Sequence, residues 1–290
     1  MQTVHCPQCS TSTSLLLRAE DYNRHISREV FTYYQCPACD LIFISPIPNN
    51  LSDYYPSSYY PLPSTIAEFA PQVDFQRYKI DLVKRFVTSG NLLEIGPGQG
   101  DFTFMAKQGG FAVDVIEMDE RCCQFLRDVI GVKAINSADP LTALQSLGQY
   151  DIIALWQVIE HLPDPWGVLD ALTAHIAPGG ILVIAAPNPD SLQFRLFGRY
   201  WAHLDAPRHL QMISIKLLTQ RLTGQGWKRL LVTTSLGAHT YNLFGWHQSL
   251  KNSIGGGLPT IYPGALINLL IAPLERTGWR DSTYTAIFQR

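Results

Sequence analysis

Leu92-Leu93-Glu94-Ile95-Gly96-Pro97-Gly98-Gln99-Gly100-Asp101-Phe102 reads as an apolar strand running into a glycine turn that opens a helix. Glycines at such a bend let a ligand approach bare backbone. Glu117 follows Gly96 by 21 positions and closes a second apolar strand, Phe111 to Ile116. An acid at that place can accept hydrogen bonds from both ribose hydroxyls of an adenosine. Position 101 separates two classes of ligand. A dinucleotide fingerprint needs glycine or alanine there for helix packing, and its diphosphate sits on the helix N-terminus. Asp101 stands there instead, and a carboxylate on that turn suits the helix dipole while repelling phosphate. S-adenosylmethionine carries a sulfonium, an ammonium and no phosphate, so Glu94 and Asp101 would favour it where they would damage NAD binding.

Outward from this bend, strand and helix alternate. Strands are expected near 111–116, 132–135, 151–155, 180–186, 227–235 and 283–289, with helices near 73–88, 101–108, 120–130, 164–176 and 214–224. That alternation implies an α/β fold with a parallel, doubly wound sheet. The α/β domain is assigned to 73–290, with long insertions at about 187–213 and 236–282; connections of that length are more often functional than idle. Residues 45–72, rich in proline, serine and tyrosine, read as a linker or cap, and 1–44 as a separate small module. With 290 residues and 46% hydrophobic content, the chain can fill a sizeable core without disulfides.

The small module carries Cys6-Pro7-Gln8-Cys9 and Cys36-Pro37-Ala38-Cys39. Two such knuckles can close a tetrahedral thiolate site around Zn²⁺, and the shared spacing, each pair with proline inside, argues against four cysteines that merely pack. A closed four-cysteine site leaves no position for substrate, so this zinc is assigned a structural role. Cys122 and Cys123, in an expected helix, read as core residues; His5 and His25 read as solvent or turn histidines. Charge is nearly balanced, 22 Lys and Arg against 24 Asp and Glu. Before Asp74 only Arg18, Arg24 and Arg28 face Glu20, Asp21, Glu29, Asp40, Asp53 and Glu68, so the footprint of a nucleic-acid binder is missing there. No run reaches the ~20 apolar residues of a membrane span, and the start lacks a secretory pattern, so the expected compartment is cytoplasmic.

Three runs together resemble the class I S-adenosylmethionine-dependent methyltransferases. Leu92 to Phe102 is similar to their first motif, Tyr150-Asp151-Ile152-Ile153-Ala154-Leu155-Trp156-Gln157-Val158-Ile159-Glu160-His161-Leu162-Pro163-Asp164-Pro165 to their fourth-strand motif, and Ala177 to Asn188 to their fifth. The zinc ribbon, the tyrosine-rich linker and Asp205-Ala206-Pro207-Arg208-His209-Leu210 look like one bacterial subgroup associated with cell-surface sugars or secondary metabolites. The resemblance implies a Rossmann-like seven-stranded sheet of order 3-2-1-4-5-7-6 with the last strand antiparallel. By position it implies that Glu94, Gly96, Gly98 and Gly100, with Phe102 behind them, serve the methionine part. Glu117 would serve the ribose, Met118 an adenine face and Asp139 the adenine amine, with Trp156 and Gln157 flooring the site. Ubiquinone O-methyltransferases share the Glu160-His161 pair and hold a metal with an additional upstream carboxylate; Gln157 stands at that place, which argues against a catalytic Mg²⁺.

The expected reaction is methyl transfer to a small-molecule acceptor: a sugar, a polysaccharide precursor or a secondary metabolite. Alternatives are a zinc-ribbon ribosomal RNA base methyltransferase and a non-catalytic cofactor-binding scaffold. An oxygen nucleophile needs a base, and His161 and His209 are the candidates, each equally readable as a structural residue. Tyr54, Tyr55, Tyr59 and Tyr60 read chiefly as glue between linker and domain, with an aromatic wall over the acceptor as the sharper reading. Gly264 to Leu274, following Gly255-Gly256-Gly257, reads as a buried lid or the helix of a homodimer, with contact to a lipid-linked substrate as the alternative.

Overall fold

The computed structural model describes residues 3–56, 58–234, 238–255, 261–277 and 280–290. Its strands are β1 (Ser14–Ala19), β2 (Phe31–Gln35), β3 (Ile42–Ile44), β4 (Gly90–Ile95), β5 (Phe111–Glu117), β6 (Lys133–Asn136), β7 (Tyr150–Trp156), β8 (Ile176–Pro187), β9 (Gln211–Met212), β10 (Lys228–Thr233) and β11 (Thr283–Gln289). Seven of them form one sheet in the order β10-β11-β8-β7-β4-β5-β6. Counted from β4, that is 3-2-1-4-5-7-6. β11 runs antiparallel to both β8 and β10, while β8-β7-β4-β5-β6 are mutually parallel. The central strands are buried on both faces, as a sheet covered by helices on each side requires.

The helix expected over 73–88 is broken and begins earlier. Thr65 accepts from the Glu68 amide and caps a helix over Ile66–Val73; a 3₁₀ turn over Asp74–Gln76 then leads to a second helix, Tyr78–Val83. Pro71 removes a backbone donor from the first piece, and the break lets Phe69 and Val73 pack in the same core as Ile80, Leu82 and Val83. Residues 66–72, read as linker, therefore pack with the α/β domain.

The N-terminal module is not closed on itself. Its sheet has the order β1-β2-β3-β9, and β9 comes from inside the 187–213 insertion, pairing Ile42 with Met212 and Phe43 with Gln211. Phe31, Tyr33, Ile42, Ile44 and Tyr54 share one buried cluster with Trp201, Leu204, Leu210 and Met212. A three-strand ribbon is too small to bury such side chains alone, and the insertion supplies the other half of the core. In the second insertion, helices cover Ala238–Ile254 and Ile261–Thr277. Leu266, Leu269 and Leu270 are exposed, so this helix is not a buried lid at those positions, where no described element packs over the leucines. Residues 236, 237, 256–260, 278 and 279 of that insertion, with Gly256 and Gly257 of the glycine run, lie outside the described residues, as does Ser57 of the linker. No helix among the described residues is long and apolar enough to cross a membrane.

Candidate functional site

The bend after β4 takes the left-handed backbone that its glycines permit: φ is +64° at Gly96, +58° at Gly98 and +86° at Gly100. Gly100 caps a helix over Asp101–Gln108. Three carboxyl groups surround this turn. Glu94, 3% exposed, accepts from Thr103 Oγ1 at 2.5 Å, and burial pushes its pKa up to about 7 against the opposing Thr103 bond and the Lys79 ammonium. Glu117, at the end of β5, accepts from the Gly98 amide at 2.9 Å and the Asp119 amide at 2.8 Å; burial raises it too. Asp101 accepts from the Gln99 amide nitrogen at 2.9 Å and is likewise raised by burial.

The floor follows from the end of β7. Trp156 packs edge-on against Phe102 with ring centroids 5.3 Å apart, and the Lys79 amine lies 5.1 Å from the Trp156 ring. Gln157 has φ +58°, a strained value for a residue with a Cβ, while its amide still bonds the Ala185 carbonyl of β8. Met118 is half exposed beside Glu117. Asp139, expected to reach the adenine amine, has an exposed carboxylate that caps a short helix, accepting from the Leu141 amide and Thr142 Oγ1. Asn136 sits closer, donating to the Glu117 and Met118 carbonyls.

A second group lies past the same edge of the sheet. Glu160 and His161 occupy a 3₁₀ turn after β7. His209 arrives from the 187–213 insertion, and the two imidazoles meet edge-on at 4.5 Å. His209 Nδ1 donates to the His203 carbonyl at 2.7 Å, and His161 Nδ1 lies 3.0 Å from the Arg208 carbonyl and 2.9 Å from Tyr55 Oη. Because a carbonyl only accepts, each ring carries its proton on Nδ1 and presents Nε2 as a lone pair. Glu160 is 1% exposed and neither carboxyl oxygen has a hydrogen-bond partner; His209 Nε2 is 3.9 Å away. Burial drives Glu160 up to about 8 and His209 down to about 3, with His161 also lowered. Glu160, His161 and His209 each offer a ligand atom, all within 4.8 Å of one another, so the trio could hold a cation as well as move a proton. Tyr33 Oη of β2 donates to the His209 carbonyl, and the Leu210 amide to that of Glu160, which fixes the insertion against the turn.

The tyrosines divide. Tyr54 is buried in the ribbon core, as glue would be. Tyr55 reaches His161, and Tyr60 lies against Gly98. Lys79, Thr103, His203 and Asp21 also serve this region without any local motif to mark them.

The four cysteines converge. Sγ separations are 3.6 Å for Cys6–Cys39, 3.4 Å for Cys9–Cys36 and 3.8 Å for Cys9–Cys39. A tetrahedron with zinc–sulfur bonds near 2.3 Å has edges of about 3.8 Å, so the donor set fits. The two knuckles repeat one backbone pattern: Ser10 and Asp40 amides donate to the Cys6 and Cys36 carbonyls, and both residues have positive φ.

Residues 70–232 match a family described as a methyltransferase domain. A ubiquinone biosynthesis O-methyltransferase of Bordetella avium is 28% identical over 152 residues, 49% of this chain and 63% of the relative, so the chain spans less than two thirds of that relative. Its counterpart from Bordetella bronchiseptica is 27% identical over 167 residues, 53% of this chain and 69% of the relative. Among solved structures, a SAM-dependent methyltransferase from Archaeoglobus fulgidus has the same fold, with a TM-score of 0.53 at 20% identity over 76% of this chain and 94% of the other.

Proposed function

The chain belongs to the methyltransferase-domain family matched over residues 70–232, and from that premise we propose that it transfers the methyl group of S-adenosylmethionine to a hydroxyl of a small molecule in the cytoplasm. The observation that carries the reading is the bend between Gly96 and Asp101. Glu94, Asp101 and Glu117 stand around a turn of three glycines there, an environment that favours a sulfonium and an ammonium and disfavours a diphosphate. Glu94 would meet the ammonium of the methionine part and Glu117 the ribose hydroxyls, with Phe102, Trp156 and Gln157 beneath. Methyl transfer is an in-line displacement at an already activated carbon, so alignment supplies much of the rate. His161 or His209 would take the acceptor proton on Nε2, since each is neutral and held by its Nδ1 side; burial, which pulls His209 down to about 3, leaves His161 the better placed of the two for that role. The O-methyltransferase names of the relatives support an oxygen acceptor; the acceptor class of the proposal is a sugar, a polysaccharide precursor or a secondary metabolite. The Cys₄ group would hold a structural Zn²⁺.

Isothermal titration tests the donor reading: micromolar binding of S-adenosylmethionine and S-adenosylhomocysteine is expected, with none of NADH. Tight NADH binding would sink it. Alanine at His161 or at His209 should abolish turnover with donor affinity unchanged; full activity in both variants removes the base assignment.

The unpartnered oxygens of Glu160 favour a second reading of its cluster, a divalent cation held by Glu160, His161 and His209. Metal analysis separates the two, because a cation there raises the content above one ion per chain and His209→Ala removes the excess.

A further inference from the structure

Resting on that placement of the donor, we infer that Tyr60 is part of the methyl-transfer site itself, its ring packing against the sulfonium of the bound donor. A Cβ built on Gly98 would lie 2.7 Å from Tyr60 Cε1, 2.8 Å from Cζ and 3.0 Å from Oη. The ring therefore rests on Gly98 where a side chain would otherwise stand, and a Cβ there would force the ring to shift as well as strain a backbone at φ +58°. The carboxylate bonded to the Gly98 amide belongs to Glu117, and that charge joins burial in raising the Tyr60 phenol. The ring thus stands at the glycine whose amide holds the acid assigned to the ribose, four residues along the turn from the acid assigned to the ammonium. In an adenosyl sulfonium, the charged sulfur lies between those two ends.

The ring is also held in place. Tyr59 meets it edge-on at 5.0 Å, Tyr55 meets Tyr59 at 5.2 Å, and the Arg24 guanidinium caps the Tyr59 ring at 3.9 Å. Tyr55 in turn reaches His161 Nδ1. One row of aromatic side chains from the region read as linker therefore touches the donor turn at one end and the candidate base at the other. An electron-rich ring face attracts a cation more strongly than it does a neutral thioether, whose contact with the ring lacks the charge term. Tyr60 should accordingly discriminate S-adenosylmethionine from S-adenosylhomocysteine, holding the donor and easing product release.

The test is titration of the full chain with both ligands. Tyr60→Leu should weaken S-adenosylmethionine about tenfold while S-adenosylhomocysteine changes less than about threefold, and Tyr60→Phe should keep the wild-type ratio. Equal losses for both ligands, or no loss for either, overturn the inference and leave the donor reading standing. Wild-type protein that binds neither ligand sinks the donor reading instead. Should Tyr60→Leu fail to fold, Tyr60→Phe with progressively fluorinated rings keeps the shape and drains the ring of electrons. Sulfonium affinity should then fall with each fluorine while thioether affinity holds, and a flat series overturns the inference.

Discussion

Arg208 and Asp21, 187 positions apart, meet as a wholly buried ion pair, Nη2 lying 2.6 Å from Oδ1 and Nη1 3.2 Å from Oδ2. Asp205 takes the other side of the guanidinium through Nε at 2.8 Å and Nη2 at 2.8 Å. The pair ties the N-terminal module to the insertion that delivers His209, and the Arg208 carbonyl is the one beside His161 Nδ1.

Removing Asp21 leaves Arg208 Nη1 without its partner and the guanidinium balanced by Asp205 alone, at a cost of about 3 kcal/mol, the lower end of what breaking a buried pair costs. Asp21→Ala should therefore lower Tm by roughly 10 °C in a thermal melt and reduce turnover at temperatures where the protein is still folded. Arg208→Lys should recover little, because an ammonium cannot serve two carboxylates in a fork. A melt unchanged in Asp21→Ala would show that the pair does not couple the two regions.

Glu94 should make donor binding pH-dependent. Its folded pKa, about 7, stands above the ordinary 4.5, so between those values the folded state holds a proton the unfolded chain has lost. Stability of the free protein therefore falls as pH rises through that window. A cationic donor prefers the ionised carboxylate, so affinity should climb between pH 6 and 8, with proton release on binding at the lower end. Calorimetry in buffers of different ionisation enthalpy reads this release. Glu94→Gln should flatten the profile and weaken binding by about tenfold, a loss of one charge-assisted contact.

Acid should unfold the region around the insertion first. His203 is pulled down to about 4 and His209 to about 3, both by burial first. Each binds a proton in the unfolded chain, near pH 6.5, well before it does so in the folded one. Their stability contribution is present above pH 6.5 and is lost as pH falls towards 4 and 3. Hydrogen exchange at pH 5 against pH 7.5 should show faster exchange of amides in 200–213 than in β4 and β7.

Zinc removal should reach beyond the ribbon. Chelation, or Cys9→Ser, is expected to release one metal equivalent and cost several kcal/mol of local stability. Because β3 pairs with β9 two residues beyond His209, turnover should fall while donor affinity changes less than about threefold. Loss of both together would place the coupling elsewhere.

The run Leu92–Phe102, the acid at 117 and the paired cysteines were legible in the sequence because each is a local code. A glycine bend, a strand period and a two-residue spacing are set by near neighbours, and the strand order followed from the resemblance those runs carry. The division between module and domain was not legible. β9 is two residues long, too short to show a period, and its partner Ile42 lies at the other end of the chain. The helix break at 74–76 likewise depends on what packs nearby rather than on propensity. The meeting of His161 with His209, of Tyr60 with Gly98 and of Arg208 with Asp21 belongs to tertiary structure alone. Each joins segments that no local pattern relates, and burial of the whole core decides which of them touch.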